Sequence, residues 1–110
     1  MLPPVPTPAK DYRAVLLRQI LREELPRPEL EYKFDPSRGW RIDLAYPELK
    51  LAIEVEGMAH RVRERFLSDI EKYDALMFAG WRLLRIYTRW ICDEKREHRR
   101  GIELVKRAFG

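Results

Sequence analysis

The chain has 110 residues, with 22 Lys and Arg against 18 Asp and Glu, a formal charge of +4 at pH 7. That length serves one domain with its own core and is too short for two, and so mild a basic excess permits a polyanionic partner without demanding one. Cys92 is the only cysteine, which excludes an intrachain disulfide and a multi-cysteine zinc site; no stretch nears the ~20 apolar residues of a membrane span, so a soluble, cytoplasmic protein with no membrane partner is expected.

Residues 1–8 are proline-rich and read as an extended arm, without the apolar region of a signal peptide, before a single domain over residues 9–110. Thr7 followed by Pro8 predicts a helix start, a hydroxyl cap and then a proline where the missing N–H costs nothing. Tyr12, Val15, Leu16, Gln19, Ile20 and Leu21 recur three to four apart, predicting an amphipathic helix over residues 9–25 that Pro26 and Pro28 end. Residues 31–34 predict a short strand, and Asp35-Pro36-Ser37-Arg38-Gly39 a turn.

Residues 40–46 and 51–56 alternate at period two around Pro47-Glu48-Leu49-Lys50, the pattern of two strands joined by a tight loop. Ile42, Leu44, Tyr46, Leu51, Ile53 and Val55 form its apolar side. Over residues 63–79, Phe66, Ile70, Tyr73, Leu76, Met77 and Ala79 fall at helical spacing, with Gly80 placed to cap the helix in a left-handed conformation. Residues 81–87 predict a strand, with Trp81 filling the core, while Trp40 is either core rim or nucleic-acid contact. The last segment, residues 93–109, docks through Ile102, Leu104, Val105, Ala108 and Phe109, unless Gly101 breaks it at a cost of about 1 kcal/mol relative to alanine. This order predicts an α/β or α+β fold, a central mixed four-stranded sheet flanked by helices.

Chemistry concentrates on the second face of the hairpin. If Tyr46 pairs with Leu51, then Asp43 lies opposite Glu54 and Arg41 opposite Glu56, with opposed Cβ atoms about 5 Å apart. Three carboxylates then share one face, where the small Ala45 and Ala52 leave room and Gly57 follows. Such neighbours repel unless a cation compensates. Arg41 can do so by pairing with Glu56, or a hard divalent ion, Mg²⁺ or Mn²⁺, can bind the oxygens.

The segments RIDLAYPELKLAIEVEGMAH (residues 41–60) and FLSDIEKYDALMFAGWRLLRI (residues 66–86) together resemble the compact, very-short-patch-repair-like endonuclease branch of the PD-(D/E)XK nuclease superfamily. The resemblance covers about residues 32–86 and implies a restriction-endonuclease-like fold. It implies that Asp43 and Glu54 bind metal, with Glu56 as a further ligand or water contact in the position that is lysine in the broader superfamily. His60 matches the branch histidine and is the candidate for acid–base work or phosphate contact, since imidazole titrates near neutrality. Asp69 matches a recurrent acid on the next helix and Lys72 stands where the branch commonly has arginine, both in supporting roles.

Arg41, Arg61, Arg63 and Arg85 are candidates for phosphate contact, alongside Arg65, Arg82, Arg89 and the basic run Arg96, Arg99 and Arg100. The expectation is a Mg²⁺-dependent DNA endonuclease, with Mn²⁺ as substitute, acting in DNA repair or processing. The partners expected are DNA and a homodimer or larger nucleoprotein complex. The alternatives are a catalytically inactive nucleic-acid-binding module of a larger assembly and an RNA-directed nuclease.

Overall fold

A computed structural model describes residues 11–57, 63–91 and 99–110, with residues 63 and 64 described for their backbone only. Its elements run α1 (Tyr12–Arg22), β1 (Glu29–Tyr32), β2 (Ile42–Tyr46), β3 (Leu51–Glu56), α2 (Arg63–Phe78), β4 (Arg82–Tyr87) and α3 (Arg100–Phe109). The strands form one four-stranded mixed sheet in the order β1-β2-β3-β4, antiparallel except for the parallel β3–β4 pair. This is an α+β fold with helices on both faces of the sheet, the architecture expected.

The helix ends differ from their predicted positions for local reasons. Asp11 caps α1, its carboxylate accepting the N–H groups of Arg13 (3.1 Å) and Ala14 (3.2 Å). The predicted start at Thr7 and Pro8, like the proline arm, lies outside the described residues. The helix stops at Arg22, before the prolines act, because Glu24 turns left-handed (φ 57) and the Leu25 N–H returns to the Ile20 carbonyl (3.2 Å). At the end of α2, Gly80 (φ 84) plays the predicted cap, with the Trp81 N–H bonded to the Leu76 carbonyl (2.9 Å).

The hairpin has the predicted register: Tyr46 pairs with Leu51, Ala45 with Ala52 and Leu44 with Ile53. A short 3-10 turn over Pro47–Leu49 and a left-handed Lys50 (φ 47) join the strands. Leu44, Tyr46, Leu51 and Ile53 pack with Val15, Leu16 and Ile20 of α1 and Ile102 and Val105 of α3 into the main core. Gly101 lies in the first turn of α3, and the earlier part of the predicted last segment, residues 93–98, lies outside the described residues.

Three expectations are corrected. The first strand is Glu29–Tyr32, not residues 31–34, and Phe34 leaves it to stack on Trp40 (6.2 Å) and pack against Trp81 (6.4 Å). Ile42 joins Ala45, Ala52 and Leu76 on the opposite face from Leu44. Pairing of β1 with β2 skips Glu31 and Asp43, and the left-handed Glu31 (φ 52) marks the break in alternation.

Thirdly, Phe66, Ile70 and Met77 are not core residues; they are 52%, 42% and 59% exposed. Among its described side chains the buried positions of α2 are Lys72 and Leu76. The face meeting the sheet is therefore displaced by one residue, about 100° around the helix axis. That rotation puts polar side chains over the carboxylates.

Candidate metal centre

Beyond the Leu44–Ile53 pair the two hairpin strands are tied by carboxylates. Glu54 Oε2 accepts the Asp43 N–H (3.1 Å), and Asp43 Oδ2 accepts the Val55 N–H (2.9 Å). Each acid thus satisfies a main-chain donor near the other, which holds two like charges side by side at the end of the paired region. Asp43 is half-buried, and its Oδ1 lies 3.7 Å from the Arg13 guanidinium, which also grips Glu31.

Glu54 is 4% exposed, and Lys72 of α2 donates its ammonium to Glu54 Oε1. Burial, and then repulsion from Asp43, push the Glu54 carboxyl up to about 7, with Lys72 and the Asp43 N–H pulling the other way. Burial outweighs even a direct lysine contact, so the carboxyl stays raised.

Glu56 is engaged differently from the prediction. The Tyr73 hydroxyl donates to its Oε1 (2.5 Å) and Arg85 to its Oε2 (2.5 Å), so Arg85, not Arg41, is its ion-pair partner. Arg41 is exposed. Burial and the bond to Glu56 push the Tyr73 phenol above its ordinary range, and the same carboxylate raises Arg85. The Arg85 guanidinium also lies 5.3 Å from the Tyr73 ring centre.

Arg65, Asp69, Lys72 and Tyr73 of α2 face Asp43, Glu54 and Glu56 across an open polar cavity of about 290 Å³. Asp69 and Lys72 are thus brought to the acidic pair, and the Lys72 contact with Glu54 is more direct than spacing on the helix implied. Arg65, expected only as one of several arginines able to meet phosphate, forms part of this wall, and sequence reasoning missed Tyr73 there. Its position beside Lys72 was the available signal, hidden by the misplaced helix face. His60 and Arg61 lie outside the described residues, as does the side chain of Arg63.

Among the described residues, no three Asp, Glu, His or Cys side chains gather as a metal-ligand group, since Glu56 turns to Tyr73 and Arg85. Two carboxylates do adjoin. Mg²⁺ commonly takes one or two protein carboxylates and keeps several waters, so the chemistry of Asp43 and Glu54 fits that ion better than one needing a full protein cage. The upward push that Asp43 gives the Glu54 carboxyl is one that a bound cation would relieve.

No family model and no solved structure matches the chain. Two curated proteins of Mycobacterium tuberculosis are similar to it: "Uncharacterized protein MT2308" of strain CDC 1551 / Oshkosh and "Uncharacterized protein Rv2248" of strain ATCC 25618 / H37Rv. Each is 34% identical over 76 residues, covering 66% of this chain. The chain spans about a quarter of the length of these relatives, 27%. Among the described residues no helix is long and apolar enough to cross a membrane.

Proposed function

We propose that the protein is a Mg²⁺- or Mn²⁺-dependent endonuclease that hydrolyses phosphodiester bonds in DNA, with the fold and site of a compact PD-(D/E)XK nuclease. The observation carrying this reading is the adjacent, mutually buttressed pair Asp43 and Glu54, with the Lys72 ammonium on Glu54, facing an open polar cavity.

Asp43 and Glu54 would hold the ion. When bound, it offsets charge on a phosphate oxygen and lowers the pKa of a bound water. The chain's own groups do the rest. The backbone bonds of the two acids fix their orientation, so little ordering is left for substrate binding to accomplish. Lys72 brings from α2 the positive charge that the strand lacks at Glu56, and its contact with the Glu54 carboxylate offsets part of the rise that burial and Asp43 cause. Arg65 faces the same cavity, placed to draw in a phosphate. Tyr73 and Arg85 restrain Glu56 so that it borders the cavity without competing for the phosphate.

The test is cleavage by the purified chain of linear, nicked, branched and single-stranded DNA, and of RNA, with Mg²⁺, Mn²⁺ or chelator. Activity that needs metal and disappears in Asp43→Ala and Glu54→Ala is the expected result. Cleavage in chelator, or full activity in both variants, overturns the assignment. A second reading is a catalytically silent nucleic-acid-binding module of a larger assembly, and the greater length of the relatives leaves room for further parts beside such a module. It predicts binding without cleavage on every substrate.

A further inference from the structure

Beside the acidic cavity lies a second, which the proposed hydrolysis does not use. It has a volume of about 250 Å³ and shares Glu56 with the first; Gly57, Arg85, Tyr87 and Trp90 form the rest of its wall with Ile86. Tyr87 ends β4, and Trp90 follows in a 3-10 turn over Thr88–Trp90. The two rings meet edge to face, with centres 5.9 Å apart and planes at 83°. The Arg100 guanidinium lies 4.1 Å from the centre of the Trp90 ring.

We propose that this cavity receives one unpaired nucleobase of a nucleic-acid strand whose phosphate lies over Asp43 and Glu54, a proposal that rests on the nuclease reading. Size is the first argument: drug-sized ligands occupy pockets of roughly 300–1,000 Å³, so this one suits a single planar ring system. Chemistry is the second. Aromatic rings backed by a guanidinium are the surfaces on which bases stack irrespective of sequence. The Glu56 carboxylate in the wall repels a phosphate but can accept from a base N–H, and Arg85 can donate to a base carbonyl.

The wall is also built to stay in place. A side chain at Gly101 would meet the Trp90 carbonyl oxygen at 3.0 Å and Ile86 Cγ2 at 3.1 Å, so the start of α3 presses closely on the Trp90 turn. Arg89 and Arg100 are exposed near the turn, where they favour the flanking phosphates. A base in this cavity cannot remain stacked and paired in a duplex. The preferred substrate is therefore a strand with an unpaired nucleotide beside the cleaved bond, as in a single strand, a flap or a mismatch.

The test is binding of the full chain to a short single-stranded DNA carrying 2-aminopurine, read by anisotropy and by fluorescence quenching in chelator, so that cleavage plays no part. Wild-type protein should quench the probe. Trp90→Ala should weaken binding about tenfold or more, in line with the contribution of one stacked base, and Trp90→Phe should restore most of it. A blunt duplex of the same sequence should bind more weakly and be indifferent to both substitutions. Unchanged single-strand affinity in Trp90→Ala, or equal losses on duplex and single strand, overturns the proposal.

Should Trp90→Ala fail to fold, photocrosslinking of a 5-iododeoxyuridine strand to wild-type protein decides. An adduct on Tyr87 or Trp90 supports the cavity, and adducts only elsewhere refute it. Quenching without cleavage by any substrate would refute the nuclease reading alone; metal-dependent cleavage without quenching or adduct would refute the base site alone.

Discussion

Lys72 and Glu54 are 9% and 4% exposed, and the ammonium of one meets the carboxylate of the other where α2 crosses β3. Removing one member of a buried pair strands the other's charge at a cost of about 3–5 kcal/mol, whereas replacing both with neutral groups costs far less. Lys72→Met should therefore destabilise the fold strongly at pH 8, and Glu54→Gln in the same background should recover part of the loss. Urea unfolding of both single variants and the double variant measures this. Additive losses would show that the two groups do not act as a pair.

The pH dependence of stability follows from Glu54, whose carboxyl is raised from 4.5 to about 7 by burial and by Asp43. Between those values the folded chain holds a proton that the unfolded chain has released, so stability falls as pH rises through that window. At 1.36 kcal/mol for each pKa unit, the full effect is about 3 kcal/mol for the rise from 4.5 to about 7. Wild-type protein should lose stability relative to Glu54→Gln from pH 5 to pH 8. A difference between the two that stays constant, or that grows in favour of the wild type, would contradict the assignment.

The parts of this arrangement that were legible in the sequence are those set by period two and a tight turn. Pairing Tyr46 with Leu51 brings Asp43 level with Glu54, and the structure has that register. The helix over the site was harder to read, because Phe66, Ile70, Tyr73 and Met77 make a more regular apolar stripe than the polar face that meets the sheet. Burial of Lys72 depends on a carboxylate beneath it, which helical periodicity cannot see. The partner of Glu56 was obscured for another reason: β3 and β4 are parallel, joined through α2 rather than a hairpin, so no turn fixes their register. Only the structure places Glu54 beside Arg85 and Glu56 beside Tyr87 across that pair. Trp90 followed a predicted strand with no periodicity of its own, and its contact with Arg100 depends on how the chain returns to it at the start of α3.

Gly101 gives a prediction whose sign propensity alone would get wrong. Alanine is favoured over glycine inside a helix by about 1 kcal/mol, so Gly101→Ala would be expected to stabilise α3. The added methyl would instead meet the Trp90 carbonyl at 3.0 Å and Ile91 Cγ1 at 3.1 Å, and the first of these is main chain that cannot rotate away. Overpacking a tight contact costs about 1–3 kcal/mol. Gly101→Ala should lower the thermal midpoint by scanning calorimetry; an unchanged or raised midpoint would show that the turn yields.

Metal binding can be tested apart from cleavage through Asp43. Asn at this position keeps a carbonyl oxygen to accept the Val55 N–H, which Asp43 now accepts at 2.9 Å, but removes the charge beside Glu54. The fold should survive, and Glu54 should titrate at a lower pH because one cause of its raised carboxyl is gone. A ligand bound only by the folded state stabilises it by about 2.7 kcal/mol at a hundred times its dissociation constant. Mn²⁺ should therefore raise the thermal midpoint of the wild type, more at pH 8 than at pH 6, because Glu54 must lose its proton to bind the ion. Asp43→Asn should abolish most of that rise. Equal stabilisation of both proteins would place the ion elsewhere, and a larger effect at pH 6 would remove Glu54 from its ligands.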